Sequence, residues 1–128
     1  DGELHEGSNW EAIMFAGHIK ANNLCLLIDK NERSQMGETS DACSLDPLID
    51  KLEAFNFQSY EISDGHDEEE IKNIIKKTNK SKQPIAIICN TIKGKGVSFM
   101  EGNNLWHYRS PQGSDYDNAL LELSIEKT

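Results

Sequence analysis

The sequence predicts an α/β domain: a parallel sheet with helices on both faces, in three layers. Two observations carry that expectation. The short continuous apolar runs "NLCLLID" and "PIAIICN" suit strands covered on both sides, not the apolar–polar alternation of a half-solvated sheet. Between such runs lie segments with helical three-four spacing, and strands that alternate with helices imply right-handed crossovers within one sheet. At 128 residues the chain is at most one domain, residues 1–128, and long enough for a real core.

Each element follows from local chemistry. Ser8 or Asn9 is the expected cap of a first helix reaching Ala21, in which Trp10, Ile13, Met14 and Gly17 follow helical spacing. Ala12, Phe15 and Ala16 fill its other faces, so this helix is expected to be buried nearly all round. Asn23–Asp29 reads as the first strand, followed by a polar loop, "KNERSQMGETSDACS". A second helix is expected near Leu45, with Pro47 in its first turn and Leu48, Leu52 and Phe55 buried. Phe57–Ile62 reads as another strand, ended by the turn "SDGHD". The next helix opens on Asp67–Glu70 and closes on Lys76, Lys77 and Lys80, an order that complements the helix dipole, with Ile71, Ile74 and Ile75 as its inner face. That acidic run is thus a solvated first turn rather than a metal site. "PIAIICN" is a third buried strand, "TIKGKG" is the loop leaving it, and a last helix near Asp117–Glu126 can dock through Leu120, Leu121 and Ile125.

Composition narrows the function classes. With 37% hydrophobic and 27% charged residues the chain resembles ordinary soluble proteins, and its net charge of −9 argues against nucleic-acid or anionic-membrane partners. No apolar run approaches the roughly 20 residues of a membrane helix, and the first residues are too acidic and polar for a signal peptide. Cys25, Cys43 and Cys89 lack metal-ligand spacing. Cys25 and Cys89 sit in apolar runs, which reads as reduced core cysteines in a cytoplasmic protein.

Parallel sheets bind ligands beyond the carboxyl ends of their strands. "DGELHEG", "DKNERSQ" and "TIKGKGVSFMEGNNLWH" fall there. The carboxylate of Asp1 and the amide oxygen of Asn31, thirty positions on, are hard ligands suited to Mg²⁺ shared with a diphosphate. Gly2 lets backbone approach phosphate oxygens where a side chain would collide. Each piece alone is weak, since Asp-Gly is commonly just a turn and an Asn after a strand just a loop residue.

Together these residues resemble a known pattern. "DG" with Asn31, then "EGSNWEAIMFA", "NLCLLIDKN", "PLIDKLEAF", "DGHD", "TIKGKGVSFMEGN" and "WH" resemble the C-terminal part of the diphosphate-binding domain of transketolase, over nearly the whole chain. The resemblance implies a thiamine diphosphate-binding fold, truncated at its N-terminus: the motif's first glycine and preceding strand would lie before Asp1, as in a fragment or a piece of a split enzyme. It also implies the cofactors thiamine diphosphate and Mg²⁺ (or Ca²⁺). Asp1, Asn31 and the backbone carbonyl of Arg33 would ligate the metal, while Gly2 and Glu3 would contact the diphosphate. Lys93 and His107 would face the cofactor and donor sugar, and Glu6 would lie at a dimer interface near the neighbouring cofactor. Their plainer alternatives are a solvated loop lysine, an aromatic-cluster histidine beside Trp106 and Tyr108, and a helix-start carboxylate. His5 and His18 match nothing, and His66 reads as turn chemistry.

The implied activity is transfer of a two-carbon ketol unit between sugar phosphates, by a homodimer or a heterotetramer completed by a pyrimidine-binding domain or subunit. The chain alone would be inactive. Deoxyxylulose-phosphate synthase and a non-catalytic α/β remnant that binds a partner are the competing readings. Departures from the family pattern are Arg33 in place of a hydrophobic residue, "MG" at 36–37 in place of "DG", and "WHYRSP" in place of Trp-His-Gly, with Arg109 keeping a positive charge where some relatives have lysine.

Overall fold

A computed structural model describes residues 1–35, 37–78 and 80–125, Ile125 by its backbone alone. A 3-10 turn (Gly2–His5) leads into α1 (Gly7–His18), then β1 (Cys25–Lys30), the two-residue strands β2 (Arg33–Ser34) and β3 (Gly37–Glu38), and the single turn α2 (Thr39–Ala42). There follow α3 (Leu48–Ala54), β4 (Gln58–Ile62), α4 (Glu68–Thr78), β5 (Ile85–Asn90), a second 3-10 turn (Asn104–His107) and α5 (Ser114–Ile125). The main sheet has the order β1-β5-β4 and is parallel throughout, with Ile87 flanked by Leu27 and Tyr60.

The side chains of β5 alternate between two cores, which makes the three layers. Ala86 and Ile88 pack with Ile28, Ile13, Leu48, Leu52 and Phe57 under α1 and α3. Ile85, Ile87 and Cys89 pack with Ile62, Ile71 and Ile74 under α4. Five of the six β5 residues are buried, as a central strand of a covered parallel sheet requires. In α4, Asp67 accepts hydrogen bonds from the backbone N–H groups of Glu69 (2.9 Å) and Glu70 (3.1 Å), so the acidic start caps its own helix. Glu68 and Glu69 also pair with Lys72 on the exposed face, and these partners push the Lys72 ammonium up from its ordinary range.

Several expectations are corrected. The first helix begins two or three residues earlier than expected, at Gly7 with Glu6 in the cap position; Asn9 instead donates its side-chain amide to the Glu3 carbonyl at 2.7 Å. The helix is not buried all round, since Phe15 is 62% exposed and Met14 and Ile19 are more than half exposed. β1 is an edge strand among the described residues, so Leu27 is 53% exposed and Cys25 is exposed rather than core. An apolar run cannot by itself tell an edge from a centre. The expected polar loop contains the β2–β3 hairpin and α2, and α3 starts at Leu48 with Pro47 as its cap and Phe55 only half-buried. Ile75 faces solvent, and Lys80 lies past the end of α4. In α5 the buried residue is Ala119, whereas Leu120 and Leu121 are exposed. The helix is tied down by Glu122, which accepts from the Ser98 backbone N–H (2.5 Å) and hydroxyl (2.8 Å). Met36, Glu126 and the Ile125 side chain lie outside the described residues.

Candidate cofactor and metal site

Beyond the carboxyl ends of β1 and β5, three connections meet. The 3-10 turn begins with Asp1, whose Oδ1 accepts the Gly2 N–H at 2.9 Å and caps the turn. Its Oδ2 accepts the Glu32 N–H (2.9 Å) and the Thr39 hydroxyl (3.3 Å), tying the turn to the chain leaving β1. The Asp1 backbone nitrogen also donates to the Asp29 carbonyl at 2.5 Å, on the outer edge of β1. Glu32 stands at φ +58°, so the chain reverses sharply between β1 and β2 and brings Asn31 and Arg33 back toward Asp1.

Asn31 is held from two sides. Its Oδ1 accepts the Arg33 N–H at 2.9 Å and its Nδ2 donates to the Asp29 carboxylate at 3.1 Å. The Arg33 guanidinium turns to Glu38 at 3.2 Å, so a cation in place of the expected hydrophobic residue is neutralised beside the cleft. A Cβ placed on Gly2 would lie 3.6 Å from the Arg33 carbonyl oxygen, which sets that oxygen against the face of Gly2.

The second 3-10 turn delivers His107. Asn103 caps it by accepting the Leu105 N–H at 3.0 Å, and Trp106 anchors it by donating its indole N–H to the Phe99 carbonyl at 3.1 Å, with the two rings edge to face. Asn104 reaches the Gln35 carbonyl at 3.4 Å, so this turn leans on the connection after β2. Past His107, Tyr108 is exposed with Arg109 over its ring at 5.9 Å.

A cleft of about 570 Å³ results, walled by Asp1, Gly2, Glu3, Glu6, Asn31, Arg33 and His107. Residues more than a hundred positions apart are thus gathered on one surface. Lys93 is not among the lining residues. It sits in the loop after β5, where its carbonyl accepts the Gly102 N–H at 2.9 Å. That loop needs its glycine: Gly94 has φ +78° and a Cβ there would lie 2.6 Å from the Met100 carbonyl oxygen. His5, unassigned from sequence, also lines the cleft, with Nε2 donating to the Cys43 carbonyl at 2.9 Å. His66 accepts the Ile92 N–H at 2.8 Å and braces the turn against the end of β5.

The donor set fits a hard divalent cation. One carboxylate, one amide oxygen and one backbone carbonyl lie on neighbouring walls, and such oxygens suit Mg²⁺ or Ca²⁺. Among the described residues no three His, Cys, Asp or Glu side chains converge as a metal site. Burial pushes the Cys89 thiol up from its ordinary range, with the Asp29 carboxylate adding to the shift, and partial desolvation by its neighbours raises the otherwise exposed Cys25. Both thiols therefore remain protonated at neutral pH and are poor ligands. Asp29 and Thr91 were not singled out from sequence. Their signal was weak: an acid two residues before Asn31 and a threonine directly after a strand.

Comparison with known proteins identifies the family. Residues 1–120 match the family model described as transketolase, thiamine diphosphate binding domain. The chain is 40% identical over 126 residues to an apulose-4-phosphate transketolase subunit of Actinobacillus succinogenes, covering 98% of this chain and 45% of that protein. It is 38% identical to a 6-deoxy-6-sulfo-D-fructose transketolase subunit of Clostridium sp., over 98% of this chain and 46% of the relative. The chain thus spans slightly under half the length of these curated relatives. Among solved structures, transketolase from Leishmania mexicana superposes with a TM-score of 0.85 at 28% identity, over 97% of this chain and 18% of that one. The matches favour the transketolase family over the synthase. The chain belongs to the transketolase family, within its thiamine diphosphate-binding domain.

Proposed function

We propose that this chain binds the diphosphate end of thiamine diphosphate through Mg²⁺, as part of an enzyme that moves a two-carbon ketol unit between sugar phosphates. The observation that carries the reading is the cleft itself. Three carboxylates (Asp1, Glu3, Glu6) line it, and its one guanidinium is paired to Glu38. A diphosphate entering such a cleft needs a divalent cation between the two sets of negative charge.

In this reading Asp1, Asn31 and the Arg33 carbonyl hold the metal, and Gly2 leaves room for a phosphate oxygen beside its amide. Thiamine diphosphate supplies the carbanion chemistry that breaks and forms the carbon–carbon bond. His107 lines the same cleft, where an imidazole orients sugar hydroxyls and relays protons. Glu6, at the start of α1, faces a neighbouring protomer's cofactor, and Lys93 joins the substrate side once the rest of the enzyme is in place. The relatives' names, apulose-4-phosphate and 6-deoxy-6-sulfo-D-fructose transketolase subunits, support an anionic sugar as substrate. The word subunit in those names also supports a separate partner polypeptide. Three unbridged cysteines suit the reducing cytoplasm.

Calorimetric titration of the full-length protein with its partner subunit tests this. Asn31→Ala is expected to raise the Mg²⁺ needed for thiamine diphosphate binding by at least about 10-fold, the scale on which metal-site groups act, and excess Mg²⁺ should partly restore binding. His107→Ala should lower kcat far more than cofactor affinity. Indistinguishable cofactor titrations for the two variants would refute the division of roles.

A further inference from the structure

A carboxamide can present either its oxygen or its nitrogen, and a half-turn exchanges them. Only one orientation of Asn31 offers an oxygen to a cation. Its hydrogen-bond partners remove the choice. The Arg33 backbone N–H can only donate, and it donates to Oδ1 at 2.9 Å; the Asp29 carboxylate can only accept, and it accepts from Nδ2 at 3.1 Å. A half-turn would set donor against donor and acceptor against acceptor. Oδ1 keeps a second lone pair, so the bond from Arg33 does not prevent it from meeting a cation.

Asp29 is itself restrained. Its Oδ1 accepts the hydroxyl of Thr91, the first residue after β5. The two strands are locked in register there, with Asp29 opposite Cys89 and the Thr91 N–H donating to the Lys30 carbonyl at 3.1 Å. On the far side, Gly65 is pressed on Thr91 so closely that a Cβ would come 2.6 Å from the Thr91 methyl. The orientation of one loop amide is therefore referred back to the rigid end of the sheet.

We propose that Asp29, anchored by Thr91, is a positioning residue that fixes the Asn31 carboxamide with its oxygen available to the metal. The proposal rests on the reading of Asn31 as a metal ligand. Accepting from the amide NH₂ also draws negative charge onto Oδ1 and makes it a better donor to the cation.

The test measures the Mg²⁺ concentration that half-saturates thiamine diphosphate binding in the full-length protein with its partner subunit, by calorimetry, alongside the melting temperature. Asp29→Ala is expected to raise that concentration about 10- to 100-fold, the usual cost of losing an outer-shell partner. Asp29→Asn keeps an acceptor for Asn31 and can donate to Thr91, so it should shift the value by less than about threefold, although the charge is gone. In the Asn31→Ala background, Asp29→Ala should add almost nothing.

Equal effects of Asp29→Ala in both backgrounds would overturn the proposal, because general destabilisation or through-space charge would act in either. A large effect of Asp29→Asn would likewise overturn it in favour of charge. If Asn31→Ala alone leaves the Mg²⁺ requirement unchanged, the ligand reading beneath the proposal fails. If Asn31→Ala shifts it and Asp29→Ala does not, only the positioning role fails. Should Asp29→Ala not fold, Thr91→Val decides: a several-fold rise that vanishes in the Asn31→Ala background supports the anchor, and no rise overturns it.

Discussion

Gly17 offers a sharp test of how α1 is seated. The residue is buried in the helix where it crosses the end of α3, and a Cβ there would lie 1.7 Å from the Phe55 carbonyl oxygen and 2.9 Å from its carbon. Ordinary contact begins near 3.4 Å, so the helix would have to retreat by well over an ångström, and the obstacle is backbone rather than a pliable side chain. Helix propensity favours alanine over glycine by about 0.8–1 kcal/mol. Overpacking typically costs about 1–3 kcal/mol and more against backbone, so the clash should win. Gly7, in the same helix, has nothing within 4 Å of its Cβ, and Gly7→Ala is expected to leave stability unchanged or raise it slightly. In thermal melts of the intact protein, Gly17→Ala should therefore lower the melting temperature while Gly7→Ala holds it or raises it slightly. The site should feel it too, because Asn9 and Trp10 hold the Glu3 and Leu4 carbonyls at 2.7 and 2.6 Å and would carry the 3-10 turn with them. A Gly17→Ala protein as stable as its parent, with undiminished cofactor affinity, would refute this account of the packing.

Gly2→Ala should separate folding from binding. Its Cβ would meet Ser34 and the Arg33 carbonyl at 3.4–3.7 Å, which the fold accepts, so the melting temperature should hold while thiamine diphosphate affinity falls; unchanged affinity would place the diphosphate elsewhere. The exposed edge of β1, with Leu24 and Leu27 open, should make the 1–128 polypeptide self-associate at micromolar concentration, and Leu27→Lys should suppress this. A clean monomer in sedimentation before that substitution would show that the edge is not sticky.

What could be read in advance follows physical lines. β5 was legible because burial on both faces demands an unbroken apolar run, and α4 because an acidic start and basic end match the helix dipole. The β2–β3 hairpin was not, since two-residue strands have no period to detect. The cap of α1 was misplaced because Asn9, a good capping residue, found a better partner in the carbonyl of Glu3. In the site, Asp1, Gly2, Asn31 and His107 stood out through their motif, whereas Asp29 and Thr91 are 62 residues apart and meet only because β1 and β5 are neighbours.

The alternation of strands and helices, the oxygen chemistry of the candidate ligands and the family were all readable from residue order. Those properties reside in residue type and short-range order, which burial and hydrogen bonding constrain locally. Packing, by contrast, set β1 at the edge among the described residues, kept Lys93 out of the cleft while His5 enters it, and turned the amide of Asn31 toward Asp29. Each of these depends on which distant segments pack together, and chain order does not specify that until the sheet has fixed its strand order and register.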